Sequence, residues 1–377
     1  MDFSFTQRQR VIRSAVRDLL EKECGADLIR EMENDEKGYS PELWHKLAEL
    51  GWLGLFFPNK YGGSGASFFD LIVLLEEIGR YLVPVPFLST VILGGMSILY
   101  GGSEEQKQTL LPKIANGELI LTMALTEPDP IYSVSGIKIG ATREGNSYLI
   151  NGIKVFIPSA HIADYLVVPT LTQGKEKDND GITLFLIETK RSDVSCNVLN
   201  TTASSKLCEV VFNRTKVANE SMLGQFNEGG AVLKKVLELA TVAQCALMVG
   251  GAEKVLEMTV DYAKKRIQFN RPIGSFQAIQ HRCSNMLVDL DGAKFVTYEA
   301  AWKLSQGLPN TLEVSVAKAW VNQAYQRICA NGHQVHGGIG VIKDHDMYLY
   351  SMRAKEAEFF LGDTTFHREV VAERLGL

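Results

Sequence analysis

The chain has 377 residues, 46% of them hydrophobic and 22% charged, with a formal net charge of -5 and a pI near 5.9. That balance suits a globular protein with a sizeable core and excludes disordered and fibrous classes, and it lacks the basic footprint of a nucleic-acid binder. The N-terminus alternates charged and apolar residues without a signal-like apolar core, and no stretch approaches about 18 uninterrupted apolar residues. The expectation is a cytoplasmic protein with neither membrane nor nucleic acid as partner. Cys24, Cys196, Cys208, Cys245, Cys283 and Cys329 include no C-x-x-C pair, so reduced, mostly buried thiols are expected rather than zinc or disulfides.

From residue 4 to about 120 the apolar pattern is helical, as in Val11, Ala15, Leu19 and Leu20 and in Leu43, Leu47 and Leu50. Pro58 to Gly65 resembles a dinucleotide loop only superficially, because no strand-turn-helix unit with a downstream acidic residue follows, and it reads as a structural turn. From about 121 to 230 short β runs take over: Leu119 to Leu125, Tyr148 to Ile150, Tyr165 to Val168, Ile182 to Ile187 and Val210 to Phe212. The polar stretch Gly174 to Gly181 reads as a solvated hairpin tip. Long helices then return over Ala231 to Lys265, Ala278 to Gln306, Leu312 to Asn331 and about Asp363 to Leu375. The order helical, β, helical predicts an α+β fold with domains at 1–120, 121–230 and 231–377.

The densest polar pattern lies in Tyr262 to His281, YAKKRIQFNRPIGSFQAIQH, where a helix ends, turns at Asn270-Arg271-Pro272 and resumes. Arg266, Gln268 and Phe269 precede the turn, and Gln277 and Gln280 follow it. A cation, amides and an aromatic face suit a nucleotide's phosphate and base, although a solvated helix corner would look similar. Further on, Asn331 to Gly340 (NGHQVHGGIG) spaces glycines so that backbone N–H groups can approach a phosphate. His281 and His336, near these elements, read as packing or hydrogen-bonding groups rather than metal ligands. Upstream, Ala124-Leu125-Thr126-Glu127-Pro128 opens a region that ends in Asn151 to Pro158 (NGIKVFIP).

In this order and spacing, the three elements resemble the acyl-CoA dehydrogenase family of flavoproteins over essentially the whole chain. The resemblance implies an N-terminal helical domain, a middle β-barrel-like antiparallel domain and a C-terminal helical bundle. It also implies bound FAD, an acyl-CoA substrate, an electron acceptor such as an electron-transfer flavoprotein, and a homotetramer or a hetero-oligomer with a related chain. Carried over residue by residue, Thr126 hydrogen-bonds the pyrimidine side of the flavin and Phe156 stands where relatives place Trp against the ring. Arg266, Phe269 and Gln277, with Gln334, Gly337 and Gly338, serve the pyrophosphate and adenosine. In this reading Arg266 and Phe269 come from one chain and Gln334, Gly337 and Gly338 from its neighbour.

The chain departs from the family at several positions. Pro158 replaces a Thr that donates near flavin N5, and proline has no N–H. Tyr132 and Ser133 replace a Gly-Ser-Asp segment. Phe359 to Thr364 (FFLGDT) aligns Gly362 with the family glycine and puts Leu361 where relatives carry the glutamate that removes the α-proton. Two other family locations for a base hold Ala240 with Thr241, and Leu247. Of the nearby carboxylates Asp363, Glu358, Glu238 and Glu253, Asp363 is the candidate catalytic residue, although a helix N-cap is the simpler role for it. Two functions follow: a dehydrogenase with a non-standard or partner-supplied base, or a non-catalytic subunit or elimination or desulfination enzyme of the same fold.

Overall fold

The computed structural model of the chain describes residues 4–129, 132, 134–172 and 181–377, apart from the side chain of Ser135. Most of the Gly174 to Gly181 stretch, and Ser133 of the 129–133 loop, lie outside the described residues. Among the described residues six α-helices come first, with a π-helical segment at Leu88–Gly95 leading into the fifth: α1 (Gln7–Glu23), α2 (Ala26–Asn34), α3 (Pro41–Glu49), α4 (Phe68–Arg80), α5 (Met96–Gly101) and α6 (Glu104–Ala115). Eight strands follow: β1 (Leu121–Met123), β2 (Ala141–Glu144), β3 (Ser147–Pro158), β4 (Tyr165–Leu171), β5 (Ile182–Glu188), β6 (Val194–Leu199), β7 (Leu207–Ala218) and β8 (Met222–Leu223). The remainder is α7 (Gly229–Lys265), the short hairpin β9 (Ile267–Gln268) and β10 (Arg271–Pro272), α8 (Gln277–Ser305), α9 (Thr311–His336), α10 (Asp346–Phe359) and α11 (Thr364–Arg374).

Local sequence explains the starts of several helices. Thr6 with Gln9, Ser67 with Asp70 and Ser103 with Gln106 form reciprocal capping boxes, each meeting two backbone donors that would otherwise be unpaired. In α1 the buried stripe is Ile12, Val16 and Leu20, one step from the Val11 and Ala15 of the sequence pattern, and Val11 is exposed. Pro58 to Gly65 is the structural turn expected: Gly62 takes φ 81°, and a Cβ on Gly63 would lie 2.0 Å from the Phe57 carbonyl oxygen.

The chain forms two compact units. One comprises Glu31–Ala66 and Pro84–Ala240 and contains both larger sheets, in the orders β1-β4-β5-β8 and β2-β3-β7-β6. All pairs are antiparallel except β1 with β4, a parallel match that the long excursion through β2 and β3 permits. Tyr148, Ile150, Ile157, Leu166, Val168, Phe185, Val210 and Phe212 belong to one continuous apolar core drawn from both sheets. β1 is tied down from the helical side, where the Thr90 hydroxyl donates to the Leu121 carbonyl at 3.1 Å.

The other unit comprises Met1–Arg30, Ser67–Val83 and Thr241–Leu377. α4 runs through its interior, and only Phe69 of its thirteen residues is not fully buried. It crosses α7 at backbone contact: a Cβ on Gly79 would lie 2.0 Å from the Leu247 carbonyl oxygen, and one on Gly250 1.8 Å from that of Glu76. The buried acids of α4 are partnered, Glu77 by Arg13 and Arg17, and Glu76 by the Tyr298 hydroxyl at 3.0 Å. Among the described residues no helix is long and apolar enough to cross a membrane. The cysteines are free, four of the six buried.

Candidate functional site

In the β-rich unit, Thr126 and Phe156 are brought together by a backbone bond, the Val155 N–H donating to the Thr126 carbonyl at 2.8 Å. β3 and β7 lose register between Lys154 and Ile157. Within that irregularity Phe156 adopts φ 57° and is 53% exposed, which is costly for an aromatic residue in both backbone and solvation. Thr126 is half-buried, and among the described residues nothing takes its hydroxyl. A planar apolar face beside an open hydroxyl suits a flavin ring, which stacks through its face and hydrogen-bonds through its edge. Pro158 continues β3 opposite Leu207 and adds no donor.

In the helical unit, α7 ends at Lys265 and the hairpin follows at once, its turn made by Phe269 (φ 51°) and Asn270 (φ 63°). Two positive φ values in succession are those of a tight hairpin turn, and they leave Phe269 87% exposed. The Arg266 backbone is fixed at both ends, its N–H donating to the Tyr262 carbonyl and its own carbonyl accepting from Ile273, both at 2.8 Å. Its exposed guanidinium has no carboxylate partner among the described residues, an arrangement open to a phosphate. Gln277 opens α8 and is exposed.

The glycine run is more helical than its composition suggests. α9 continues through His336, so Gln334 lies on its last turn, and Gly337 breaks it at φ 66° before a 3₁₀ segment, Gly337–Val341. Gln334, Gly337 and Gly338 are exposed. Tyr262 stacks on the buried His336 with centroids 4.5 Å apart, and the His336 Nδ1 lies 2.8 Å from the Gly332 carbonyl. His336 is therefore a packing residue, as expected, and its stack joins the end of α7 to the end of α9. Arg266, whose N–H donates to the Tyr262 carbonyl, and Gly337, next to His336, thus follow directly on the two stacked residues. Among the described residues no group of histidines, cysteines and acids is arranged to hold a metal.

The loop from Phe359 to Asp363 is held with unusual care. Lys318 is wholly buried, and its ammonium donates to the Ala357 carbonyl at 2.6 Å and to Asn322 Oδ1 at 2.8 Å. Asn322 Nδ2 in turn donates to the carbonyls of Glu358 at 3.2 Å and Gly362 at 3.5 Å. His367 Nε2 stands 3.0 Å from the Leu361 carbonyl, which places the ring proton on Nε2, and its Nδ1 faces Ser315 Oγ. Burial pushes the imidazole down to about 4 and the Lys318 ammonium down to about 8. The loop turns through Leu361 at φ 61° and Gly362 at φ 108°, where a Cβ would meet His367 Nε2 at 2.6 Å. Leu361 is half-buried. Sequence reasoning missed Lys318 and its partner Asn322, because a lysine in an amphipathic helix reads as surface.

The neighbouring carboxylates are engaged elsewhere. Asp363 caps α11, its Oδ1 accepting the Phe366 N–H at 2.8 Å. Glu358 pairs with Lys355 at 2.7 Å, and Glu253 with Lys294 at 2.8 Å and Arg13 at 3.4 Å. Ala240, Thr241 and Leu247, at the alternative family positions, offer no carboxylate.

Helices before and after a paired-sheet core, a hydroxyl beyond one sheet joined by a backbone bond to an exposed aromatic on the other, and a guanidinium at a helix end with no carboxylate partner among the described residues fit the class of flavin-dependent dehydrogenases. The chain belongs to the acyl-CoA dehydrogenase family: models of its N-terminal, middle and C-terminal domains match residues 6–118, 122–215 and 227–376. It is an oxidoreductase of that family and its cofactor is FAD. A similar protein is the caffeyl-CoA reductase-Etf complex subunit CarC of Acetobacterium woodii, 32% identical over 90% of this chain and 91% of that one. Butyryl-CoA dehydrogenase from Megasphaera elsdenii superposes with a TM-score of 0.92 at 30% identity, covering all of both chains. A chain in the structure of the ChsE4-ChsE5 complex from Mycobacterium tuberculosis gives 0.92 at 29%, covering 100% of this chain and 99% of that chain.

Proposed function

We propose that the protein is an FAD-containing subunit of an acyl-CoA dehydrogenase that introduces an α,β double bond into an acyl-CoA thioester, with the α-proton base supplied by a related partner chain. FAD, when bound, accepts the hydride that leaves the β-carbon. Thr126 and Phe156 hold the ring by its edge and face. The Tyr262–His336 stack supports a modified view of the far end of the cofactor, in which Arg266, Phe269, Gln334, Gly337 and Gly338 of one chain act together on a single pyrophosphate and adenosine.

The observation that carries the partner-supplied base is Leu361 in a loop braced by Lys318, Asn322 and His367, next to an Asp363 already committed to a helix cap. A leucine cannot accept a proton, and a capping carboxylate moved off its N–H groups would leave a helix end unsatisfied. The likeness to a chain of the ChsE4-ChsE5 complex supports pairing with a related chain, and the likeness to CarC of an Etf complex supports an electron-transfer flavoprotein as acceptor. The test is anaerobic bleaching of the bound flavin by a panel of acyl-CoAs. The protein alone should reduce slowly or not at all, and addition of a related chain that carries the family glutamate should restore reduction. Rapid bleaching by the homomeric protein would overturn the reading.

A further inference from the structure

The β-rich unit contains an ion pair that its core does not require. Lys154 is 0% exposed and Glu127 7%, and the ammonium donates to Glu127 Oε1 at 2.8 Å and to the Leu125 carbonyl at 3.2 Å. The Glu127 carboxylate also accepts the backbone N–H of Lys138 and of Ile139, each at 3.1 Å. Burying two charges sacrifices their hydration, and an apolar pair of the same volume is often as stable or more so, so stability alone is a poor reason for this one. Desolvation pulls the Lys154 ammonium below its usual range while Glu127 works to keep it charged.

Its location supplies a better reason. Leu125 and Glu127 flank Thr126, and Lys154 lies two residues before Phe156 on the far side of the Val155–Thr126 backbone bond. The 125–127 and 154–155 segments are therefore joined at three consecutive points, immediately before β3 loses register and Phe156 turns outward. Without the pair, the hydroxyl and the aromatic face keep one shared backbone bond and lose the two contacts beside it.

We propose that Glu127 and Lys154 are positioning residues for the flavin ring, fixing Thr126 and Phe156 relative to each other so that edge and face are met together. This rests on the assignment of Thr126 and Phe156 to the ring, and the experiment separates the two. FAD-free protein is titrated with FAD and, separately, with ADP, which carries only the adenosine end of the cofactor. Lys154→Met should weaken FAD by roughly tenfold or more, as expected for loss of a charge-assisted contact network, and should shift the visible flavin band while leaving ADP affinity unchanged. The double variant Glu127→Gln/Lys154→Met, which leaves no lone buried charge, should show the same selective loss if the single variant folds poorly. Equal weakening of FAD and ADP, unaltered FAD binding and spectrum, or loss of folding in both variants would overturn the proposal by making the pair purely structural. Thr126→Ala and Phe156→Ala serve as controls. If neither affects FAD, the ring assignment itself fails, whereas an effect there with none in Lys154→Met rejects only the positioning role.

Discussion

At position 361 the backbone is gripped by side chains from α9 and α11, yet the residue presented is a leucine. Leu361→Glu puts a carboxylate where the family resemblance places the base, and positioned base catalysis is worth about 10²–10⁴-fold in rate. The variant should therefore gain flavin reduction by acyl-CoA, and no gain in stopped-flow bleaching would place the base elsewhere. Burial beside Phe360 would push the new carboxyl upward and move its activity toward higher pH. Asp363 gives the complementary test. Asp363→Asn keeps a good cap and should be silent, while Asp363→Ala should cost about 1 kcal/mol in denaturant unfolding without changing the rate of flavin reduction. A large rate loss in Asp363→Asn would restore it as the base. At the other end of the cofactor, Arg266→Ala should weaken FAD retention by removing a bond of roughly 1.5–3 kcal/mol, and unaltered retention in FAD titration would remove Arg266 from the site.

At the scale of elements, the α4–α7 crossing sets its own limits. With a Cβ at Gly250 destined to sit 1.8 Å from a backbone oxygen, Gly250→Ala must part the helices, and a loss of about 1–3 kcal/mol or more should appear as a lowered Tm. Glu76, at the same crossing, is held up to about 7 chiefly by burial, against the pull of the Tyr298 hydroxyl, Lys294 and Arg13 and with Glu253 adding to the rise. Its folded pKa lies above the unfolded value, so its contribution to stability is complete below about 4.5 and is lost as pH rises through about 7. Glu76→Gln should therefore gain stability relative to the parent between those values, and a pH-independent difference in unfolding free energy would contradict this.

The same elements show what sequence can convey. The helices α7, α8 and α9 and strands β4 and β5 were legible because long periodic or wholly apolar runs leave few alternatives. β2 and β6 were missed because edge strands with mostly exposed residues show no apolar alternation, and α10 because its charged residues blur the helical period. The positive φ of Phe156, the burial of Lys154 and the grip on Leu361 arise from contacts between residues far apart in the chain, which a local pattern cannot show.

At the scale of the whole molecule, the helical unit leaves an apolar surface unexplained. Of Ala317, Trp320, Val321 and Tyr325 on α9, the first, third and fourth are buried and only Trp320 reaches the surface, at 42%. The exposed apolar side chains are instead Leu287, Val288 and Phe295 on α8, joined by Val316 and Trp320 on α9. Such a surface on packed helices favours self-association or pairing with a related chain. A dimer or a dimer of dimers is the expected state in light scattering at micromolar concentration, and a monomer would contradict it. If FAD spans that contact, its ring on one chain and its nucleotide end on the other, mass and flavin retention should fall together. Val288→Asp, on the most exposed of these side chains at 69%, places a charge where an interface would have to desolvate it. The variant should shift toward monomer and lose FAD on gel filtration, with its far-ultraviolet circular dichroism unchanged. A monomeric variant that retains its flavin as tightly as the parent would show that each chain completes its own cofactor site.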